Sequence, residues 1–408
     1  MNDVIIIGAG PAGLSAAATC AMEGLQVLVI DEYMKPGGRL LGQLYEDPDG
    51  NWWNGIKESE NLYKEAQQYG VDVMLQTPVN NIEQTGHIWT VYTESATFES
   101  NHLLLATGAA ESPVPVPGWT LPGVMSVGAA QVMTNVHRVK PGNKGVIIGV
   151  NALSAVIASE LQLAGVEVAT LALPKLNKLT EEAALPKNVM ENLLHVAHMA
   201  PSALLRNGSK WIKSDMMKQL AITFYPKSGF KMWGIPVQLR KAVVEIYGEK
   251  EVEGVKLASI RSDGEIIPGT EENLACDFVC IAGGLYPLTE LAAVAGCPFY
   301  LIEELGGYVP LHNDRMETTL DGLYVAGNIT GIEGAKIAIA QGTAAGLTIA
   351  SSHGVSDLES KLEQAIQAIE QTRDKAPFQF DPDIKKGKQI MREKWKEYEA
   401  KNSKSPAI

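Results

Sequence analysis

The chain has 408 residues, 46% of them hydrophobic and 20% charged, a balance that excludes a disordered protein and predicts two or more globular domains. No apolar run approaches the ~20 residues that span a bilayer, and Val4–Ile7 is too short and lacks the basic flank of a secretory signal, so we expect a cytoplasmic protein. A formal charge of −13 argues against nucleic acid as a partner, because phosphate binding needs clustered Lys and Arg.

Residues 3–32 (DVIIIGAGPAGLSAAATCAMEGLQVLVIDE) predict a complete strand–turn–helix–strand unit. The apolar run Val4–Ile7 enters the turn Gly8-Ala9-Gly10-Pro11-Ala12-Gly13, an alanine-rich helix follows, and a second strand, Val27–Ile30, ends in Asp31-Glu32. Gly8 permits the tight turn, Gly10 lets backbone approach a pyrophosphate, and Gly13 lets helix and strand pack closely. The helix N-terminus offers free N–H groups and a positive dipole end to phosphates. An acid at the end of the second strand accepts a ribose hydroxyl; Asp31 is the first choice, 23 residues past Gly8, and Glu32 the second.

Trp52 and Trp53 lie in the polar stretch Asp47–Gly55 (DPDGNWWNG), where paired aromatics suit an interface, a flap or plain packing. Leu103–Leu105 reads as a buried strand that stops at the small-residue turn Ala106-Thr107-Gly108-Ala109, where backbone could approach a cofactor. The chain then runs extended through Pro113, Pro115 and Pro117.

Residues 144–171 repeat the strand–turn–helix–strand pattern, but the fingerprint positions read Gly149-Val150-Asn151-Ala152-Leu153-Ser154. Asn151 puts a side chain where glycine would let backbone touch a pyrophosphate, Ser154 widens the helix–strand contact, and no acid ends the strand Val166–Leu173. The fold is repeated and the phosphate fingerprint is not. A remodelled or empty pocket, NAD(P) and ATP are the readings left for this second site. Residues 175–233 form a helical, Met- and Leu-rich insertion that serves either as a lid-like decoration or as a docking face. His195 and His198, three apart on its helix, have no third ligand and read as incidental.

The four cysteines, Cys20, Cys276, Cys280 and Cys297, make no CxxC pair, so the chain carries no dithiol redox centre. Cys276 and Cys280 are expected in one apolar strand as small buried hydrophobes, and no metal site is predicted. Later, the apolar strand Gly322–Val325 ends in Ala326-Gly327-Asn328, and a small-residue helix starts at Gly334-Ala335. In the tail, Val355–Thr372 predicts an amphipathic helix with Leu358, Leu362, Ile366 and Ile369 on one face. Ile384–Ala400 predicts a charged helix, either solvated or clasping a partner subunit. No residue stands out as an acid–base catalyst.

The turns at Gly8–Gly13, Ala106–Gly108 and Gly327–Asn328 together resemble those of the two-dinucleotide-binding-domain flavoproteins, the superfamily of glutathione reductase and thioredoxin reductase, over residues 1 to about 350. The resemblance implies an α/β fold with two Rossmann-like domains. The FAD domain (1–118 and 306–350) is split around an inserted NAD(P)-binding-like domain (119–305), and a helical tail (351–408) follows. It implies FAD as cofactor. Gly38 and Arg39 of the Pro36–Arg39 turn would line the pyrophosphate or isoalloxazine side, and Val79 would meet the adenine through its backbone. Ala335, opening its helix, would help stabilise negative charge on a reduced flavin. Asn328 stands where the superfamily usually has an Asp that holds a ribityl hydroxyl, and an amide makes that bond without the charge.

Seven further segments resemble one branch: Thr120–Met125 with Gly128–Gln131, Gly234–Val237, Cys276–Cys280, Thr289–Leu291 with Gly296-Cys297, and Gly306–Pro310. That branch is the larger flavoprotein subunit of heteromeric amine and amino-acid dehydrogenases, which include hydrogen cyanide synthase, opine oxidase, heteromeric sarcosine oxidase and dye-linked proline dehydrogenases. The resemblance implies an FAD-dependent oxidoreductase, like the pyridine nucleotide-disulfide oxidoreductases but without the redox CxxC. It would transfer electrons while a second flavoprotein subunit oxidises the C–N bond of a small amine or amino acid. Residues 351–408 contain no Cys, so a [2Fe–2S] cluster, if used, would sit in a separate small subunit. A stand-alone NAD(P)H-dependent FAD reductase and a non-catalytic, nucleotide-holding assembly subunit are the alternatives.

Overall fold

The β-branched runs build two separate sheets, each in its own unit, in a computed structural model that describes residues 2–46, 50–195, 215–226, 228–376 and 379–402. His198 and the rest of 196–214 lie outside the described residues, as do 47–49 of the tryptophan stretch. Unit 1 comprises Met1–Leu41, Asn54–Ala110 and Leu285–Ile408; unit 2 comprises Gly42–Trp53 and Glu111–Gly284. The chain thus exchanges units after Ala110 and after Gly284, while the resemblance implies boundaries at 118 and 305, and the short stretch 42–53 goes with unit 2.

In chain order the elements begin with β1 (Asn2–Ile7), α1 (Pro11–Met22), β2 (Val27–Ile30), β3 (Leu44–Glu46), β4 (Trp52–Asn54), α2 (Gly55–Gln68), β5 (Asp72–Met74), β6 (Val79–Thr85), β7 (Ile88–Thr93), β8 (Thr97–Leu105) and β9 (Ala109–Glu111). Next come β10 (Val124–Ser126), α3 (Val127–Asn135), β11 (Lys144–Ile148), α4 (Ala152–Leu163), β12 (Glu167–Pro174), α5 (Glu181–Ala184), α6 (Pro186–His195), α7 (Asp215–Thr223), β13 (Phe230–Met232), β14 (Ile235–Tyr247), β15 (Gly254–Ser259), β16 (Glu272–Ala275) and β17 (Phe278–Ile281). The chain closes with β18 (Leu285–Pro287), α8 (Glu290–Val294), β19 (Phe299–Ile302), β20 (Gly307–Pro310), β21 (Leu323–Val325), α9 (Ala335–Ser352), α10 (Glu359–Asp374) and α11 (Ile384–Asn402).

The sheet of unit 1 runs β5-β2-β1-β8-β7-β6, with β21 joined parallel to β8. Val4, Ile5 and Ile6 are fully buried, as expected of a parallel strand covered on both faces. On one face α1 packs against α9 at a distance that small residues set. A Cβ at Gly342 would lie 2.2 Å from the Ala12 carbonyl oxygen, so only glycine permits the approach. Ser15 Oγ crosses the same contact to donate to Ile339 O at 3.0 Å.

The tail corrects two expectations. The amphipathic helix buries Leu362 and Ile369, as predicted, but starts at Glu359, because Asp357 takes a φ of 63° that no right-handed helix contains. The charged helix α11 is not a solvated one. It buries Ile384 and Met391 with Ile302, Leu305, Val309 and Leu311, and Trp395 and Tyr398 pack on the same cluster.

In unit 2 the sheet runs β10-β17-β11-β12-β14-β15-β16, parallel from β10 to β14 and antiparallel beyond. Cys276 and Cys280 are not in one strand. The Asp277 carboxylate accepts the backbone N–H groups of Asn143 and Lys144, which turns the chain there and delays β17 to Phe278. All four cysteines are buried, and burial raises their thiol pKa values, to about 12 at Cys276 and about 11 at Cys297. Trp53 Nε1 donates to Gln43 Oε1 at 2.9 Å and its ring stacks on Tyr45, whereas Trp52 is exposed. In the described part of the insertion, Leu179 and Phe224 are each 80% exposed. No helix among the described residues is long and apolar enough to cross a membrane.

Candidate functional site

The first glycine turn is held at the ends of three strands. Gly8 N–H donates to Ile30 O at the end of β2, and Ala106 N–H donates to Ile7 O at the end of β1, both at 2.8 Å. Gly8 sits at φ 109°, and a Cβ on it would lie 2.3 Å from Ala106 O; one on Gly13 would lie 1.9 Å from Gly8 O. Those two glycines are fixed by packing. Gly10 differs, because a Cβ there meets nothing within 4 Å. It caps α1 without a side-chain bond, so no side-chain cap takes the first-turn N–H groups beyond Pro11, those of Ala12 and Gly13, and the space beside Gly10 is open.

Across that space stands Gly38, whose φ of 53° brings the position of its missing Cβ to 3.3 Å from Gly10 Cα. Gly37 N–H anchors this second turn on Ala9 O at 2.7 Å, and Arg39 Nε reaches Ala109 O at 3.0 Å. The two acids after β2 divide their work. Asp31 accepts the N–H of Ala9 at 2.6 Å and of Tyr33 at 2.7 Å, tying β2 to the glycine turn. Burial raises its pKa, and those two backbone bonds oppose the rise. Glu32 is exposed and has no protein partner among the described residues. Val79 opens β6, close in sequence to Thr77, whose N–H donates to Asp31 O at 2.9 Å.

The remaining sequence-predicted residues also lie in unit 1. Thr107 Oγ1 donates to Leu288 O at 2.6 Å, and Gly108 leaves its Cβ position open at φ 79°. Gly327 follows β21, with its Cβ position 3.0 Å from Ala12 Cβ, which brings the late loop onto the start of α1. Asn328 accepts Glu333 N–H through Oδ1 at 3.2 Å, leaving its amide N–H₂ as a donor. Ala335 is the first residue of α9, whose cap, Gly334, offers no side-chain bond. Two helix N-termini without side-chain caps, an open glycine cradle and an acid without a protein partner suit an anionic dinucleotide, so the residues present fit FAD.

The second turn, in unit 2, is closed by its own side chains. Asn151 Oδ1 accepts Ser154 N–H at 2.9 Å, Ser154 Oγ accepts Asn151 N–H at 3.0 Å, and Asn151 Nδ2 donates to Ala282 O at 3.2 Å. This is a capping box, and it takes the N–H of Ser154, one of the first-turn donors that a pyrophosphate would use. Its signature, an Asn followed three residues later by a Ser before an apolar helix, is present in the sequence, and the glycine template hid it. Glu160 on α4 was not foreseen either. It is buried and accepts from Gln131 Nε2 and Asn135 Nδ2, both at 2.8 Å, and from Leu44 N–H at 3.1 Å. Burial lifts its pKa to about 7 against those hydrogen bonds. Among the described residues no group of three or more His, Cys, Asp or Glu side chains is placed to hold a metal ion.

Comparison with known proteins agrees with this architecture. An opine oxidase subunit from Rhizobium meliloti is 29% identical over 357 residues, covering 86% of this chain and 71% of the relative. The HcnB subunit of hydrogen cyanide synthase from Pseudomonas protegens is 28% identical over 372 residues, covering 88% and 72%. Two other opine oxidase subunits are spanned over 64% and 62% of their length. Among solved structures, L-proline dehydrogenase from P. horikoshii matches with a TM-score of 0.62 at 20% identity, over 89% of this chain and 58% of that one. T. acidophilum thioredoxin reductase matches at 0.59 and 23% identity, over 86% and 98%. These two likenesses carry the fold: two Rossmann-like domains, one split around the other. The family model for pyridine nucleotide-disulphide oxidoreductases matches residues 2–342. The chain belongs to the pyridine nucleotide-disulphide oxidoreductase family, as an FAD-dependent oxidoreductase.

Proposed function

We propose that this chain is the electron-transferring FAD subunit of a heteromeric amine or amino-acid dehydrogenase or oxidase, and that its electrons come from a partner flavoprotein rather than from a nicotinamide. The observation that carries this reading is the capping box at Asn151 and Ser154, which occupies the helix terminus where NAD(P) phosphates would bind. The relatives that are themselves subunits of opine oxidase and hydrogen cyanide synthase support it. So do the four buried cysteines, none of which forms a redox pair.

In this reading the α1 N-terminus and the Gly10–Gly38 cradle bind the pyrophosphate of FAD, and Glu32 takes the ribose hydroxyls, with Asp31 holding the turn that presents it. Val79 backs the adenine, and Ala106–Gly108, Arg39, Asn328 and Ala335 orient the flavin end. FAD supplies two-electron acceptance and stepwise electron release. The protein fixes the cofactor and supplies a positive helix end beside it. A small [2Fe–2S] subunit could take the electrons onward, and the complex would act on a small amine or amino acid.

An anaerobic titration of the purified, flavin-loaded chain with NADH and then NADPH, followed at the flavin absorbance, tests this. The expected outcome is a flavin that neither donor bleaches and that a co-purified flavoprotein partner reduces in the presence of an amine. Rapid bleaching by either nucleotide would replace this reading with a stand-alone reductase, for which the second strand–turn–helix–strand fold argues.

A further inference from the structure

The loop from β21 to α9 is tied down at several points, and the outermost ties come from the helical tail. Within the loop, Gly327 N–H donates to Gln341 Oε1 on α9 at 2.8 Å, and Thr330 Oγ1 donates to Gly327 O at 2.9 Å. From α11, Lys388 Nζ donates to Thr330 O at 2.9 Å and to Thr330 Oγ1 at 3.2 Å, and lies 3.4 Å from Glu333 Oε2. From α10, Arg373 grips Glu333 with a two-pronged fork, Nε to Oε1 at 2.5 Å and Nη2 to Oε2 at 3.0 Å. Glu333 N–H in turn holds Asn328 Oδ1.

The side chains of Lys388, Glu333 and Arg373 are 9%, 5% and 3% exposed. Charges this deep are costly to desolvate, and apolar contact alone would dock α11 through Ile384 and Met391. Burial pushes the Glu333 carboxyl up, and Lys388 and Arg373 outweigh it, so the pKa lies below the ordinary value and the group is ionised. Glu370, 2.8 Å from Arg373 Nη1, supplies the second negative charge. His312 lines a small cavity together with Glu370, Arg373 and Lys388, and burial with the nearby Lys388 pushes its pKa down to about 3, so it adds no charge. The result is a balanced ion cluster whose inner end is a backbone carbonyl of the flavin-side loop. What the cluster fixes, and apolar packing would not, is the position of that carbonyl.

We infer that Lys388, Glu333 and Arg373 are positioning residues for the flavin: through Thr330 and Asn328 they set the turn at Gly327–Asn328, which makes the helical tail a structural part of the cofactor site. The inference rests on the placement of Asn328 beside the flavin proposed above, and it holds whichever partner supplies electrons.

The test uses the full-length, flavin-loaded protein, with FAD affinity from fluorescence, the visible flavin absorption and circular dichroism bands, and the flavin midpoint potential. Lys388→Met is expected to weaken FAD binding about tenfold, the scale of one lost charge-assisted hydrogen bond, and to shift the flavin bands and potential. Lys394→Gln is the control on the same helix. It loses an ion pair to Glu397 and a contact with the Tyr300 ring, neither of them in the ion cluster or the loop, so the flavin readouts stay at wild-type values. Flavin readouts that are unchanged in Lys388→Met, or changed equally in both variants, overturn the inference. Asn328→Ala separates the two layers. If it moves the flavin bands and Lys388→Met does not, the positioning role falls; if it moves nothing, the placement falls and the inference with it. Should Lys388→Met fail to fold, Glu333→Gln keeps the shape and a bond to Arg373, and the same readouts decide, with an expected loss of about threefold.

Discussion

The two strand–turn–helix–strand units, residues 2–30 and 144–174, follow one backbone path into opposite chemistry. Gly8 and Gly149 have φ values of 109° and 110°, and a Cβ on either would lie 2.3 Å from a carbonyl oxygen, that of Ala106 or Ala282. Each donates its N–H at 2.8 Å to the end of the next strand, Ile30 or Ala172. Two residues on, the units part. Gly10 leaves a helix terminus without a side-chain cap, whereas Asn151 and Ser154 cap theirs by bonding each other's backbone N–H. Backbone topology therefore does not decide whether such a helix terminus is left uncapped; the side chains at its third and sixth positions do. The helices that follow differ in the same sense. α1 meets its neighbour through Ala, Gly and Ser, while α4 carries the buried carboxyl of Glu160.

Filling the open turn is the most severe way to break the comparison. Gly10→Val starts its side chain from a Cβ position with nothing within 4 Å, on a backbone at φ −74°, so we expect the protein to fold and FAD affinity to fall at least ~100-fold. Flavin content per chain, read from the absorbance of the purified variant, checks this; a yellow protein would mean the cradle is not the phosphate site.

A smaller effect separates the helices. The Glu160 carboxyl, with a pKa of about 7 in the fold against an ordinary 4.5, keeps a proton that the unfolded chain gives up. Stability is therefore highest below pH 4.5, so far as this group contributes, and declines as pH rises to about 7, by a total on the order of 3 kcal/mol. Glu160→Gln should flatten that decline in urea melts at pH 5 and pH 8. A slope that survives the substitution would assign it to other groups.

The mildest change sharpens the closed turn. Asn151→Ala removes the cap from α4 and should cost about 1 kcal/mol in thermal unfolding, with flavin content unaltered. A loss of flavin there would show that the second turn supports the first site after all.

Much of the site was legible because its chemistry is local. Gly8, Gly10 and Gly13 sit within one turn, and their spacing carries its own physical reason. Asp31 and Glu32 are legible together at the strand end, and only the fold shows that Asp31 accepts the N–H groups of Ala9 and Tyr33. The intramolecular docking of the tail was neither of the two roles read from the sequence, because Lys388 sits in a run of charges, and a burial partner such as Thr330, 58 residues away, leaves no periodic trace. Glu160 was missed for the same reason; its partners, Leu44, Gln131 and Asn135, belong to separate segments.

The amino-acid sequence by itself determined that this protein has two nucleotide-binding folds, one with an intact phosphate turn and one without, because glycine requirements and apolar strands act over a few residues. The tertiary structure alone decided which acid is bonded to the backbone, that Asn151 and Ser154 bond to each other, and that the charged tail holds the loop between β21 and α9. Those outcomes depend on which donors and acceptors are already spent, and burial brings together partners that are far apart in the chain.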